Sequence, residues 1–366
     1  MSVSNKPIKK YHYIDALRGI AIIGVILIHA GEMQKSIFLE SKTKYGQLGV
    51  QLFFVASALT LCLSMEKRGY SWPEIKSFFI RRYFRIAPLY YIGILIYFGI
   101  NLLLANLQMP NGLNNYSLKG ISANVLFIHG FMPAYNNNIV PGGWSIGAEM
   151  AFYCIFPLLY IWLHHKTARY IFNVLVGYVL LALLIIVSLS LCYHLKFIYN
   201  NNFYYNSLFN QLSVFLWGFL LYKDVKGNII KNQIYNLILF LAGFLAIYIN
   251  WKHGWSFSFF LIPAFAGMVF FTLGSFLKSS YFRVPILERI GQLSFSIYIL
   301  HWITVWYVFP NLNEYFDNKI TKNLYIGFTC DFLLTLTISF LLAKMTEKYI
   351  EKPGIALADK LLKRRQ

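Results

Sequence analysis

Acidic residues are scarce in this chain. Only 14 Asp and Glu stand against 33 Lys and Arg in 366 residues, and charged residues of both signs make up 13% of the whole. No long polar block separates the apolar stretches, which excludes a soluble domain between them. Cysteine is sparse too. Cys62, Cys154, Cys192 and Cys330 all fall inside apolar runs without metal or redox spacing, so they read as buried small side chains and no metal site is expected. No internal repeat is visible.

What fills the chain is apolar: 58% of residues are hydrophobic, 19% aromatic, and the mean hydropathy is +0.53. These residues come in runs of about 17 to 24, the length that crosses a bilayer as a helix. The pattern predicts an all-α integral membrane protein with about ten transmembrane helices, near 14–31, 46–65, 86–105, 144–163, 171–193, 207–222, 234–250, 256–277, 292–309 and 324–345. An eleventh patch, 121–131, is too short to cross. It lies in the longest loop, 106–143, which is rich in Asn and Gly, and reads as a short re-entrant or interfacial segment.

A net charge of +19 is compatible with nucleic acid, but the positive-inside rule accounts for it without such a partner. With both termini cytoplasmic and the short patch not spanning, 25 of the 33 Lys and Arg fall on the cytoplasmic side and eight on the outer side. Lys9 and Lys10 ahead of the first apolar run then read as the flank of an uncleaved signal anchor, since Asp15 and Arg18 interrupt the run and no small-residue cleavage site follows. The expected organisation is a polytopic membrane domain over 1–352, a basic cytoplasmic tail over 353–366, and a multi-pass location in the inner (plasma) membrane.

Ionisable residues inside a span are unfavourable and mark functional sites. In the first span, Arg18 and His29 are eleven residues apart, so they share a face with an offset of about 20° and an axial separation of roughly 16 Å. Asp15 lies near the same stripe. Arg81, Arg82 and Arg85 stand where the third span meets the cytoplasm, either as snorkelling anchors or, joined by Arg18 at the same depth, as a guanidinium cradle for a polyphosphate. The fourth span opens PGGWSIGAEMAFYCIFP and carries Glu149, with Ser145 and Tyr153 four residues to either side. A carboxylate there needs a cation, an imidazole or a packing hydrogen bond, and His29 has a comparable depth. The ninth span aligns Ser294, Tyr298 and His301 on one stripe, for chemistry or for interhelical hydrogen bonding. Asp331, in the last span, is a further possible partner.

Taken together these motifs resemble the membrane-bound acyltransferase-3 family along the whole chain. Asp15, Arg18, Gly19 and His29 match its D-x-x-R-G…H pattern, and GVQLFFVASALTL is similar to its second-helix signature, with Ala58 where Gly is usual. Arg81, Arg82, Arg85 and Pro88 match R-R-x-x-R-x-x-P; Trp144, Ser145, Glu149, Phe152, Tyr153 and Pro157 match W-S-x-x-x-E-x-x-F-Y-x-x-F-P. SFSIYILHW resembles the late S-x-x-Y-L-x-H, and Glu351, Lys352 and Pro353 the closing acidic-basic-Pro turn.

The resemblance implies an acyltransferase that moves an acyl group, most often acetyl from acetyl-CoA, to a hydroxyl of a cell-surface polysaccharide or lipid-linked sugar, here as a stand-alone member. The residues agree with that chemistry. Arg18, Arg82 and Arg85 would bind the cofactor-sized anionic donor, acetyl-CoA, and His29 would act as general base with Glu149 orienting it. Asp15, Ser145, Tyr153, Tyr298 and His301 would support the site. Direct transfer and a covalent acyl-enzyme on His29 both remain open. A lipid-linked glycan transporter or flippase would use many spans and buried polar residues as well. A glycan polymerase fits less well, because the outer loops carry no Arg.

Overall fold

The computed structural model describes residues 11–34, 36–106, 116–193, 203–254, 257–279, 283–308 and 323–363. Lys9 and Lys10, residues 107–115 of the long loop, Phe309 at the end of the expected ninth span, and 364–366 lie outside them, as does the side chain of Cys192. Among the described residues all regular structure is helical. Helix is what these apolar runs can adopt in lipid, because every backbone N–H and C=O must find its partner within the segment. The elements are α1 His12–Met33, α2 Ile37–Thr43, α3 Gly49–Arg68, α4 Trp72–Asn106, α5 Leu118–Val125, α6 Gly143–Leu163, α7 Ala168–Tyr193 and α8 Phe203–Asn206. They continue as α9 Leu208–Gly227, α10 Gln233–His253, α11 Ser258–Ser279, α12 Pro285–Gln292, α13 Ser294–Ile303, α14 Leu324–Thr346 and α15 Lys352–Lys363.

Eight helical stretches among the described residues are long and apolar enough to cross a membrane. Two of the ten expected spans, α9 and α13, are not among those eight. The reason differs for each. α9 packs against α3, α7 and α11, and its early polar residues are spent on neighbouring helices: Asn210 Nδ2 donates to the Phe259 carbonyl at 2.8 Å, and Gln211 accepts from Gln51 at 3.1 Å. A helix enclosed by protein does not need the apolar surface that lipid demands. α13 is short and passes into a π turn over Thr304–Val308.

Paired contacts define two ends of the bundle. At the basic end lie the ion pairs of His12 with Glu288 (2.6 Å), Arg289 with Glu347 (2.6 Å) and Lys278 with the buried Asp224. At the opposite end Gln34 Nε2 donates to Asp331 at 2.5 Å, and the rings of His29 and His301 stack. The core between them is aromatic: Phe54, Phe152, Phe156 and Phe215 are buried, and Phe152 lies 3.7 Å from Phe215 centroid to centroid. Ala58, where a glycine is usual in the resembled motif, faces Gly218 of α9, so the crossing of α3 and α9 takes its small residue from the other helix.

The short patch 121–131 forms α5 and a 3-10 turn over Ile128–Phe131, too short to span. It braces the start of α6. Tyr90 donates its hydroxyl to Asn124 Oδ1 at 2.7 Å, and His129 Nε2 donates to the Gly143 carbonyl at 3.0 Å. The tail expected from residue 353 is, as far as Lys363, the helix α15. α15 docks on α4, with Gly354 against the Phe84 carbonyl and Pro88, because its sequence alternates apolar and basic residues at helical spacing.

Packing is tightest where α12 crosses α1. A Cβ on Gly291 would lie 1.7 Å from the Asp15 carbonyl oxygen, so this position admits no side chain without separating the helices. Gly177 on α7 has nothing within 4 Å of its would-be Cβ. Gly291→Ala should therefore destabilise by about 1–3 kcal/mol through overpacking, while Gly177→Ala is neutral or slightly stabilising through helix propensity. Thermal unfolding of the two variants in detergent checks this; equal midpoints would contradict the close crossing.

Candidate functional site

The first span's stripe leads into a cavity with about 650 Å³ of open space between α1, α3, α4, α6 and α13. Arg18, Arg82 and Arg85 line it, so the structure brings together the three guanidinium groups that the sequence places at one depth. Two of them, Arg18 and Arg82, are held by neighbours. Arg18 donates to Thr60 Oγ1 at 2.9 Å and lies 3.8 Å from Asp15, whose carboxylate also accepts from Gln292 at 3.1 Å. The Arg82 guanidinium sits over the rings of Phe78 and Tyr153, 5.8 and 5.6 Å from their centroids, a contact that leaves its N–H edges for other partners. Arg85 joins Arg82 in a second cavity of about 770 Å³ of open space toward the basic end, where Arg68 and Arg81 also point. Arg82 and Arg85 therefore stand at a waist shared by two cavities.

Arg81 differs from the other two. It lines only the second cavity, donates to Ser77 at 2.8 Å and pairs with Asp359 of α15 at 3.4 Å.

Glu149 lines the first cavity and is anchored through one oxygen, Oε1, which accepts from Ser57 at 2.5 Å and from Tyr153 at 2.6 Å. It thus places a carboxylate in the cavity of three arginines. The expected pairing of Glu149 with His29 is not what the structure contains. His29 Nδ1 bonds Glu32 Oε2 at 2.8 Å, and its ring packs on Trp302 at 4.0 Å and His301 at 5.5 Å. Depth along the helix axis had suggested the Glu149 pairing, but Glu32 lies one turn on along the same face of the same helix and reaches the imidazole without crossing the bundle. His29 is also outside the residues that line the cavity.

Ser145 and Tyr298 close the cavity on the side away from Arg82. Ser145 donates to the Tyr298 hydroxyl at 2.9 Å, which donates in turn to the Gly142 carbonyl at 2.9 Å. Gly142 has φ +73, and a Cβ on it would sit 2.7 Å from the Tyr298 oxygen, so the turn and the hydroxyl both need glycine there. Beyond this roof lies His301, fully buried, with its ring 5.8 Å from that of Tyr298.

The residues not singled out from the sequence are those that position others. Ser57 sat within a quoted motif, but nothing in its spacing pointed to Glu149. Glu32 carried a signal, its offset of three from His29. Thr60, Trp302 and Asp359 carried none. Among the described residues no cluster of His, Cys, Asp and Glu has the geometry to hold a metal ion.

Comparison with known proteins adds an independent line. A family model described as an acyltransferase domain, the acyltransferase-3 model, matches residues 11–344. A protein of Staphylococcus aureus strain COL with a provisional O-acetyltransferase name is 25% identical over 375 residues, covering 94% of this chain and 58% of its own length. The O-acetyltransferase OatA of Staphylococcus aureus is 24% identical, covering 93% and 56%. The acyltransferase MdmB of Streptomyces mycarofaciens is 27% identical over 159 residues, 40% of this chain and 38% of its own. The chain thus spans under two thirds of the length of these relatives. No solved structure matches.

Removing the Tyr153 hydroxyl tests the anchoring of Glu149. A hydrogen bond to a charged carboxylate is worth about 1.5–3 kcal/mol, so Tyr153→Phe should lower the thermal midpoint, and Ser57→Ala should do the same. Wild-type midpoints in both single variants would contradict the anchoring, and a double variant whose loss is the simple sum of the two would show that the hydroxyls act independently and not as one network.

Proposed function

The chain belongs to the acyltransferase-3 family, and from that premise we propose that it transfers an acetyl group from acetyl-CoA to a hydroxyl of a cell-surface polysaccharide or lipid-linked sugar, as a multi-pass protein of the plasma membrane. The observation that carries the donor assignment is the convergence of Arg18, Arg82 and Arg85 on one cavity, with Arg82 and Arg85 also lining a second, basic one. Coenzyme A is an elongated molecule with phosphates at one end and a thiol at the other. Its phosphates match the fork geometry of the guanidinium groups of Arg82 and Arg85, with Arg18 on the side of the first cavity and Arg68 on the side of the second, and the uncharged pantetheine arm runs on into the first cavity. Glu149, held by Ser57 and Tyr153, offsets part of the positive charge of the arginines, so the waist attracts an anion without being a field of cations alone.

In this reading the thioester lies under the roof of Ser145 and Tyr298. His29 is the general base for the acceptor hydroxyl. Its bond to Glu32 fixes the proton on Nδ1 and leaves Nε2 as the accepting nitrogen, and the carboxylate stabilises the imidazolium that forms. The transporter alternative draws nothing from the relatives, whose names describe acyl transfer.

Ten crossings with both termini cytoplasmic complete the reading, with α9 and α13 as the two protein-enclosed spans. The basic end is then the cytoplasmic end, where acetyl-CoA is found. Asn137 is exposed near the opposite end and Lys226 is exposed at the basic end. In intact cells Asn137→Cys should react with an impermeant thiol reagent and Lys226→Cys should not. The reverse pattern would overturn the orientation.

The donor assignment is tested with the purified protein in detergent. Lysine keeps the charge of arginine and loses the planar fork, so Arg82→Lys and Arg85→Lys should each weaken acetyl-CoA binding by roughly one to two orders of magnitude, the equivalent of one charged hydrogen bond of about 1.5–3 kcal/mol. His29→Ala should leave donor binding intact and abolish glycan acetylation. Equal affinities in wild type and the Lys variants would reduce the arginines to helix anchors, and no binding by wild type would remove acetyl-CoA as the donor.

A further inference from the structure

The donor cavity and the His29–Glu32 pair do not share one chamber. The cavity ends at Ser145 and Tyr298, and neither His29 nor Glu32 lines it. The residue between them is His301: its ring lies 5.8 Å from that of Tyr298, which lines the cavity, and 5.5 Å from that of His29, nearly parallel to the latter at 28°. Its side chain is fully buried. Nδ1 lies 2.8 Å from the Tyr298 carbonyl and 3.3 Å from that of Ile297, and a carbonyl can only accept, so Nδ1 carries the hydrogen. Nε2 then carries the lone pair, and among the described residues it has no hydrogen-bond partner. Buried polar atoms are nearly always satisfied, so one left open calls for an explanation, and a catalytic role is one such explanation. The helix also widens to a π turn immediately after, over Thr304–Val308, a distortion common at functional sites.

We infer that His301 carries the acyl group from the donor cavity toward His29 as an Nε2-acyl intermediate. The inference rests on the acetyl-CoA reading above. In the first half-reaction the Nε2 lone pair attacks the thioester carbonyl carbon; the C–N bond forms, the C–S bond breaks, and its electron pair leaves on the coenzyme A thiolate. The ring becomes an acyl-imidazolium whose Nδ1 hydrogen stays on the Tyr298 carbonyl. In the second half-reaction His29 takes the proton of the acceptor hydroxyl, whose oxygen bonds to the acyl carbon. The C–N bond breaks and its electron pair returns to Nε2. The proton on His29 passes to solvent and the thiolate takes one up, so the sum is ester plus free thiol. A backbone carbonyl on Nδ1 favours this role, because it pins the tautomer and raises the electron density at the opposite nitrogen.

An acyl carrier allows a partial reaction that direct transfer does not. Purified protein in detergent is given acetyl-CoA and radiolabelled coenzyme A without any acceptor, and label entering acetyl-CoA is followed. Wild type should exchange the label. His301→Gln and His301→Asn should lose exchange while binding acetyl-CoA as wild type does, and retained binding also reports that the variants are folded. Should either fail to fold, rapid-quench mass spectrometry of wild type decides: an acetyl adduct in the peptide containing His301 supports the inference, and an adduct elsewhere overturns it. Exchange that persists in a folded His301 variant overturns it. Donor binding without exchange in wild type overturns the relay and leaves the acetyl-CoA reading standing, whereas no donor binding removes both.

Discussion

The structure depends on holding three guanidinium groups inside a helical bundle. An arginine keeps its charge at any accessible pH and its desolvation is opposed only by what the protein arranges around it. Four elements meet for that purpose. α1 supplies Arg18, α4 supplies Arg82 and Arg85, α3 supplies Thr60 and Ser57, and α6 supplies Glu149 and Tyr153. Each acidic or hydroxyl partner comes from a helix other than the one bearing the cation, except Asp15 one turn before Arg18. Withdrawing any one helix would leave charge uncompensated, so the cavity and the helix arrangement stabilise each other.

The scarcity of acids makes this arrangement economical. Among the described residues, Asp224, Glu288, Glu347 and Asp359 are taken up by ion pairs at the basic end. Glu149 remains as the carboxylate of the cavity, and two hydroxyls on one of its oxygens keep its orientation. Tight backbone crossings are needed to bring the helices this close. Gly291 against Asp15 and Gly218 against Ala58 provide them at either side of the site.

Depth along an axis was legible in the sequence; direction around it was only partly so. Helical rise alone placed Arg18 level with Arg82 and Arg85, and the three share a cavity. The same arithmetic put His29 level with Glu149 but carried no information on how α1 and α6 rotate toward each other, and the imidazole found Glu32 on its own helix. Ser57 is invisible to such reasoning, since a serine in an apolar run carries no charge whose burial demands explanation. α9 was legible as an apolar helix because its apolar residues outnumber its polar ones. That it is enclosed by α3, α7 and α11, with Asn210 and Gln211 tying it to them, follows from packing that no local pattern records.

The division of the site by Tyr298 has a physical logic under the acyl-transfer proposal. Coenzyme A is polyanionic and a sugar acceptor is richly hydrated, so a single open chamber joining them would be a water path across the bundle. A roof of Ser145, Tyr298 and the Gly142 carbonyl, closed by two hydrogen bonds, would separate them under that proposal. An acyl group is small and uncharged, and it is the one part of either reactant that the roof region can pass without solvating a charge. The barrier therefore has to fall only for the acyl carbon, and an imidazole behind the tyrosine can take it from one side and present it to the other.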